Sequence, residues 1–483
     1  MIVPTLPSKT PLPNPQFFIL LCIRFSEPIA FTLLFPFVFF MVQDFNMTDD
    51  KKMIGYYAGL ISSSFAIGEF LSGVPWGMLS DKIGRKPVMM MGLIGTMISM
   101  FLFGLSKNLA WAMTTRFMAG ILNGNIGVLK TMIGEMTDRT NRAQAFSYAS
   151  MVFGLGLIIG PALGGFLTHP YERFPLVFGN ILFLKKYPYF LPCAVSSLLC
   201  AFSFIAAHIF LEETLNRPSL TPNNNLDETA PLMDPISTTS VSAYGEASPK
   251  ANSASSSTES SVIEISQNSP RAISKGTFLV MLSNMGLSLI VVMSDELFPF
   301  WAGTKVHDGG LGYLPQDIGA LNSMMGVVLI AMQLGLYRPL QSRFSTLTLM
   351  RWAFILFIPL FAIMPIAKFF VDREQTHVAW ILLTAIFSLR TFCNMLGFTS
   401  YNILLPESCE SKEVLGRING ISQALGSLMR GVGPYLCGVF WSWSLKNEIG
   451  FPFDYHFTFF TISLISFVMC LIVLKIHPEM VAF

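Results

Sequence analysis

Charge is what this chain has little of. Asp, Glu, Lys and Arg make up 12% of its 483 residues, against about 25% in an ordinary soluble domain. So few charges cannot cover a water-facing surface, which excludes a soluble enzyme. The net charge of +2 gives no hold on a polyanion, so nucleic acid is not an expected partner. Seven cysteines occur singly, six of them (Cys22, Cys193, Cys200, Cys393, Cys437, Cys470) inside apolar runs. That excludes a disulfide framework, and the lack of any CxxC or HxxxH pair removes the usual metal sites. No GxxxxGK[ST] phosphate loop occurs. The six scattered histidines form no cluster with a nucleophile or base. An enzyme, a cofactor and a bound metal are therefore not expected. The Pro-rich start lacks the charged residues, short apolar core and cleavage site of a signal peptide, so the first apolar run is expected to be retained.

What is abundant is apolar length. Hydrophobic residues reach 52% and mean hydropathy is +0.56. A helix crossing a bilayer needs ~20 mostly apolar residues. Twelve runs qualify, at 17–43, 54–79, 88–106, 109–132, 146–168, 188–211, 274–303, 316–339, 347–370, 377–402, 415–442 and 453–476. Their length and uniformity argue helix, because barrel strands alternate and are ~10 residues long. The expected fold class is an all-α membrane protein of 12 transmembrane helices in two six-helix bundles. The expected parts are a tail (1–16), a first bundle (17–211), a loop (212–273), a second bundle (274–476) and a tail (477–483). The loop holds 13 serines and one aromatic residue, Tyr244, too little apolar surface to offset the entropy of ordering. It reads as a disordered tether or a phosphorylated regulatory segment.

The two halves repeat. Leu34-Phe35-Pro36-Phe37 recurs as Leu297-Phe298-Pro299-Phe300, 263 positions later. Glu69 and Pro75 in the second run match Gln333 and Pro339 in the eighth, each 264 later. The stretch from Arg116 to Gly160-Pro161 is matched by that from Arg390 to Gly433-Pro434. A duplicated six-span unit is how carriers place a site at the bilayer midplane between two rocking halves.

The loop after the second run reads Gly77-Met-Leu-Ser-Asp81-Lys-Ile-Gly84-Arg85-Lys86-Pro87. This resembles the signature loop of the major facilitator superfamily, in the expected place. The fifth run, Gly154-Leu-Gly156-Leu-Ile-Ile-Gly160-Pro161-Ala-Leu-Gly164-Gly165, is similar to the motif of the superfamily's proton-coupled exporters. Arg116 with Gly120 and Gly124 resembles the arginine motif of drug–proton antiporters with twelve spans. Arg24-Phe-Ser-Glu27-Pro28, and Asn123-Gly-Asn125 through Lys130-Thr to Glu135, resemble a fungal and plant subgroup that includes zinc-induced-facilitator-like carriers. The second copy of the signature loop, Tyr337 to Arg343, has no acid in the place of Asp81.

Ionisable residues inside spans are expensive and default to function. Here they are Arg24, Glu27, Glu69, Arg116, Asp295, Glu296, Arg390 and Arg430. Arg24 and Glu27 are three apart on one helix face and can pair. A carboxyl in a low-dielectric cavity can load and release a proton near neutral pH, and Glu27 and Glu69 are the preferred candidates. The rival reading of Glu27 is a static pair with Arg24. Asp295 and Glu296 either take part or simply face water. Arg116 either promotes proton release from a nearby acid or is a structural pair. The resemblance implies a gating role for Gly77, Asp81, Gly84, Arg85 and Lys86. In it Asp81 caps a helix N-terminus of the other half and Arg85 reaches Glu135 or Asp138. Gly156, Gly160 and Gly164 fall on one face, where small residues allow backbones to approach. With Pro161 they are expected to make a dry contact between the halves.

The resemblance implies a secondary active carrier exporting a small organic solute or drug against protons by alternating access. A proton-coupled importer and a non-transporting sensor remain rivals. Expected partners are the solute, protons and the lipid bilayer, with a monomeric chain. Short loops carry ten Lys or Arg on each side, so the positive-inside rule does not orient the chain. The resemblance places both ends and the long loop in the cytosol, and its subgroup suggests the vacuolar membrane before the plasma membrane or endoplasmic reticulum.

Overall fold

The computed structural model describes residues 12, 14–137, 141–215, 274–409, 412–447 and 449–480. No strand occurs among these described residues. The first span is α1 (Asn14–Thr32) continued by α2 (Val38–Asp44). The second and third are α3 (Ile54–Ile83) and α4 (Arg85–Gly104). The fourth is split into α5 (Leu109–Leu122) and α6 (Asn125–Met136), and the fifth is α7 (Arg142–Phe166). Three short helices, α8 (Pro170–Arg173), α9 (Pro175–Phe178) and α10 (Leu182–Lys186), lead to the sixth span, α11 (Phe190–Phe210). The second half runs α12 (Lys275–Gly303), α13 (Pro315–Gly335) with α14 (Tyr337–Arg343), then α15 (Thr346–Ile363) with α16 (Ile366–Asp372). It ends with α17 (Thr376–Glu407), α18 (Lys412–Lys446) and α19 (His456–Leu474). Each of the twelve expected runs falls on one of these helices or helix pairs.

Seven helical segments among the described residues are long and apolar enough to cross a membrane by themselves: α4, α11, α12, α13, α15 with α16, α17 and α19. The spans that fall short are α1–α2, α3, α5–α6, α7 and α18. They hold Arg24, Glu27, Glu69, Arg116, Lys130 and Arg430 and many Ser and Gly residues. Four of these spans, α3, α7, α18 and the α1–α2 pair, sit where the bundles meet or beside it. A helix facing a wet cleft has no need of a continuous apolar surface.

The two breaks within spans of the first half have local causes. Residues 33–37 form turns between α1 and α2 at Pro36, which has no amide to continue the helix. Between α5 and α6, Trp76 Nε1 donates to the carbonyl of Ile121 at 2.6 Å, satisfying a helix-end acceptor. Any Cβ on Gly124 would collide with the Trp76 ring.

In the first bundle α1 lies against α7 and α11, and α4 against α11 and α5. The glycine stripe of α7 serves this packing. Cβ atoms at Gly156, Gly160 and Gly164 would strike Pro28, Thr32 and Leu33 of the first span. The expected contact between halves is therefore corrected: this face of α7 is turned into its own bundle, and Pro161 lies within the same helix. The halves meet on the neighbouring face. There Gly165 opposes Pro315 and Gly319 of α13, Gly326 opposes Ile158, and Ser323 Oγ donates to the Ile158 carbonyl at 2.7 Å.

The other seam is α3 against α18. A Cβ on Gly59 would meet the Pro434 carbonyl, one on Gly55 the Trp441 ring at 2.7 Å, and one on Gly438 the Gly55 carbonyl at 2.5 Å. The Tyr56 amide donates to Ser442 Oγ at 3.0 Å. At the end of this seam Lys446 pairs with Asp50 at 2.7 Å. Toward Asp81 the seam parts. Leu71, Val74 and Met78 of α3 are 56%, 67% and 59% exposed, and Gly420 of α18 faces open space. The halves are thus closed on the Asp50 side and open on the Asp81 side.

Lys446 holds the Asp50 carboxyl below its usual value of 3.8. A lowered carboxyl contributes above its unfolded value and loses that contribution as pH falls through its folded value. Both partners are more than a third exposed, so the pair is worth little, and it does not titrate near neutral pH. Helix packing, rather than this ion pair, holds the seam. Gly59→Leu is expected to push α3 from α18 at an overpacking cost of ~1–3 kcal/mol. A cysteine placed at Ser442, inert to maleimide in the native seam, should then react about fivefold or more faster; an unchanged rate would show that the seam tolerates the side chain.

Candidate functional site

Where the seam parts, charges from both bundles converge. Arg24 and Glu27 on α1 pair at 2.6 Å, with side chains 15% and 13% exposed. Pairing across one helical turn is what their spacing in sequence allows. The Arg24 guanidinium also lies 4.8 Å from the Phe153 ring of α7. Glu69 on α3 meets Arg430 on α18 at 3.5 Å, a stretched ion pair joining the two halves. Arg430 also donates to Ser427 Oγ at 2.8 Å. Lys130 on α6 lies within electrostatic range of Arg24, Arg430, Glu27 and Glu69. These five groups, two acids and three bases, make one field between the bundles.

Further toward the Asp50 side lie the remaining in-span charges. Asp295 on α12 pairs with Arg390 on α17 at 2.9 Å and keeps 31% of its side chain exposed. Arg390 also donates to Ser294 Oγ at 3.0 Å. Glu296 does not face water: it is 1% exposed, because the adjacent α12 residues turn successive side chains to different faces. It lies in electrostatic range of Arg116, and its Oε2 has no hydrogen-bond partner among the described residues. Arg116 on α5 is 2% exposed and makes no carboxylate pair in this structure. Its guanidinium sits 4.7 Å from the Phe65 ring and 5.7 Å from the Phe103 ring, a cation–π setting. The static ion pair weighed for Arg116 is thus replaced by an aromatic cage.

The signature loop forms a network within the first bundle. Gly84 has φ +112°, a conformation side chains resist, and a Cβ there would also strike Glu213. It ends α3 and starts α4. Arg85 pairs with Asp81 at 2.5 Å and with Glu135 at 3.1 Å, and bonds Ser80 Oγ at 2.9 Å. Lys86 Nζ donates to the His208 carbonyl at 3.1 Å. Gly77 faces open space. Asp81 does not cap a helix of the other half here. It is 69% exposed, since the halves stand apart on this side. The capped N-terminus is that of α4, where Glu213 accepts from the Arg85 and Lys86 amides at 2.8 and 3.1 Å, placing an anion on the positive helix end. Asp138 lies outside the described residues.

The described helices pack as two halves, with charges gathered where they part. The profile of the Major Facilitator Superfamily matches residues 20–434. The chain belongs to the Major Facilitator Superfamily. The multidrug transporter mfsB of Aspergillus fumigatus is 34% identical over 483 aligned residues, covering 90% of this chain and 79% of that protein. Protein ZINC INDUCED FACILITATOR 1 of Arabidopsis thaliana is 30% identical over 447, covering 91% and 87%. A bacterial homolog to the human lysosomal transporter Spinster, solved inward-facing and occupied, shares the fold with a TM-score of 0.67 at 13% identity, covering 97% of each chain. The chain is therefore an integral, multi-pass major facilitator transporter, similar to the fungal and plant subgroup that its motifs resemble.

In this facilitator three placements were not legible in the sequence: Lys130 near the charges of both halves, Arg430 opposite Glu69, and Glu213 at the start of α4. Lys130 was visible only as part of a motif stretch, because α6 is too polar and short to announce a cavity face. Arg430 stood as an isolated in-span base until α18 brought it to Glu69. Glu213 fell at the head of the segment read as disordered, and its Asx-like capping role needs α4 beside it. Among the described residues Arg116 and Glu296 are the two buried charges without a hydrogen-bonded opposite charge, and they lie on opposite halves. Each lies in the other's electrostatic range, so removing one takes away part of what offsets the burial of the other. Arg116→Leu or Glu296→Leu should each lower the apparent Tm of the purified carrier, while the double variant recovers most of the loss; additive losses would show that the two do not interact.

Proposed function

We propose that this facilitator exports a small organic solute or drug in exchange for protons, by alternating access, with the Asp81 side in the cytosol and the vacuolar membrane as its site of action. The observation that carries the reading is the stretched Glu69–Arg430 pair at 3.5 Å. It is placed at the boundary between the closed seam and the open cleft, in the field of Glu27. An ion pair joining two moving halves makes their separation depend on its charge. When Glu69 takes a proton, Arg430 loses its partner and the halves are freed to part on the Asp50 side. When cargo and proton leave, the pair re-forms. Glu27, held by Arg24 in the same field, shares the proton-loading role. On this reading the Arg85–Asp81–Glu135 network is the latch of the opposite side, disengaged from the other half in the open cleft. The name of one similar protein, a multidrug transporter, supports a drug-like cargo. The carrier works as a monomer.

Purified protein in sealed vesicles, with a pH gradient imposed in either direction, tests this. Fluorescent drug probes are expected to move opposite to the proton flow. Glu69→Gln and Glu27→Gln should cut pH-driven exchange by about 10²-fold or more, the range of a lost proton-transfer group, with the elution profile of the folded protein unchanged. Full activity in both variants would retire the coupling assignment. Movement of probe with the proton flow would make the protein an importer, and binding without movement would make it a sensor.

A further inference from the structure

The acids open to the cleft are already matched. Glu27 is held by Arg24 at 2.6 Å, Glu69 by Arg430 at 3.5 Å and Asp295 by Arg390 at 2.9 Å. Glu296 is buried out of reach of solvent at 1% exposure. Lys130 is left over: it is exposed, and no ion pair of its own joins it to a described residue. Its surroundings leave room for a ligand. Gly127, Lys130, Thr131 and Gly134 share one face of α6 by their spacing of three and four. A Cβ at Gly127 or Gly134 would meet nothing within 4 Å, so space is open one turn above and one turn below the ammonium. Two further cations, Arg24 and Arg430, lie within electrostatic range of it. An unmatched ammonium beside two guanidiniums, in a cleft with low-dielectric walls, focuses a field that attracts anions.

We propose that Lys130 is the cargo anchor, and that the cargo carries a carboxylate which the Lys130 ammonium binds in the space between Gly127 and Gly134. This rests on the transporter reading and names its substrate class: an organic acid or zwitterion rather than a lipophilic cation. A carboxylate placed there completes the charge balance of the cleft, and a charge-assisted bond is about twice as strong as a neutral one. A purely cationic cargo would instead have to displace an arginine from Glu27 or Glu69.

Two dyes of one ring scaffold separate these cases: carboxyfluorescein, which carries free carboxylates, and rhodamine 6G, a cation with none. Binding to the full purified chain is read by fluorescence anisotropy. Wild-type protein is expected to prefer carboxyfluorescein. Lys130→Gln should weaken that binding about tenfold or more without weakening rhodamine 6G, and Lys130→Arg should keep it within about threefold. Wild-type affinity for carboxyfluorescein in Lys130→Gln, equal loss in Lys130→Arg and Lys130→Gln, or no binding of carboxyfluorescein by the wild type each overturns the proposal. The transporter reading fails separately. If carboxyfluorescein binds through Lys130 but no dye follows a pH gradient in vesicles, the anchor stands and proton coupling falls. If only rhodamine 6G moves, coupling stands and the anchor falls.

Discussion

Hydrocarbon does not tolerate a lone charge, and this constraint arranges the whole molecule. Each in-span ion of the described residues except Glu296, which is buried without an opposite charge bonded to it, has one of three resolutions. Some are paired across a helical turn or between helices, as Arg24 with Glu27 and Arg390 with Asp295. One is caged by aromatic rings, as Arg116 is by Phe65 and Phe103. Others lie in a cleft between the bundles, as Lys130 does. Most of these resolutions need groups on other helices, so the charges favour particular spans facing inward. The spans richest in them are the ones too polar to stand alone in lipid.

A second constraint is steric. The halves touch through glycines whose missing Cβ lets one backbone reach another, at Gly55, Gly59 and Gly438 on one seam and Gly165, Gly319 and Gly326 on the other. Such seams are closely fitted, and only a few hydrogen bonds and ion pairs cross them. The Asp50–Lys446 pair at the rim adds little, being exposed and insensitive to pH near neutrality.

The duplicated sequence does not give duplicated structure everywhere. Leu34-Phe-Pro-Phe37 lies in the turn that divides α1 from α2, whereas Leu297-Phe-Pro-Phe300 continues the helix α12. In the first copy Phe37 stacks on Tyr189 at 5.2 Å, and the chain changes direction. In the second, Phe298 packs edge-on to Phe387 at 4.5 Å and Phe300 lies near Phe39 at 6.2 Å. Four identical residues take two conformations because their neighbours differ.

The helical spans, the family and the Arg24–Glu27 pair were legible in the residues alone, and the motif narrowed the partner of Arg85 to Glu135 or Asp138, of which the structure shows Glu135; the Ser-rich segment lies almost wholly outside the described residues. Hydropathy, helical spacing and a motif loop are local properties, and local properties survive in one dimension. The direction of the α7 glycine face, the burial of Glu296 beside a half-exposed Asp295, the capping of α4 by Glu213 and the meeting of Glu69 with Arg430 were decided only by the tertiary structure. Each depends on where a second helix stands, 128 residues away for Arg85 and Glu213 and 361 for Glu69 and Arg430. No spacing within one helix contains that information.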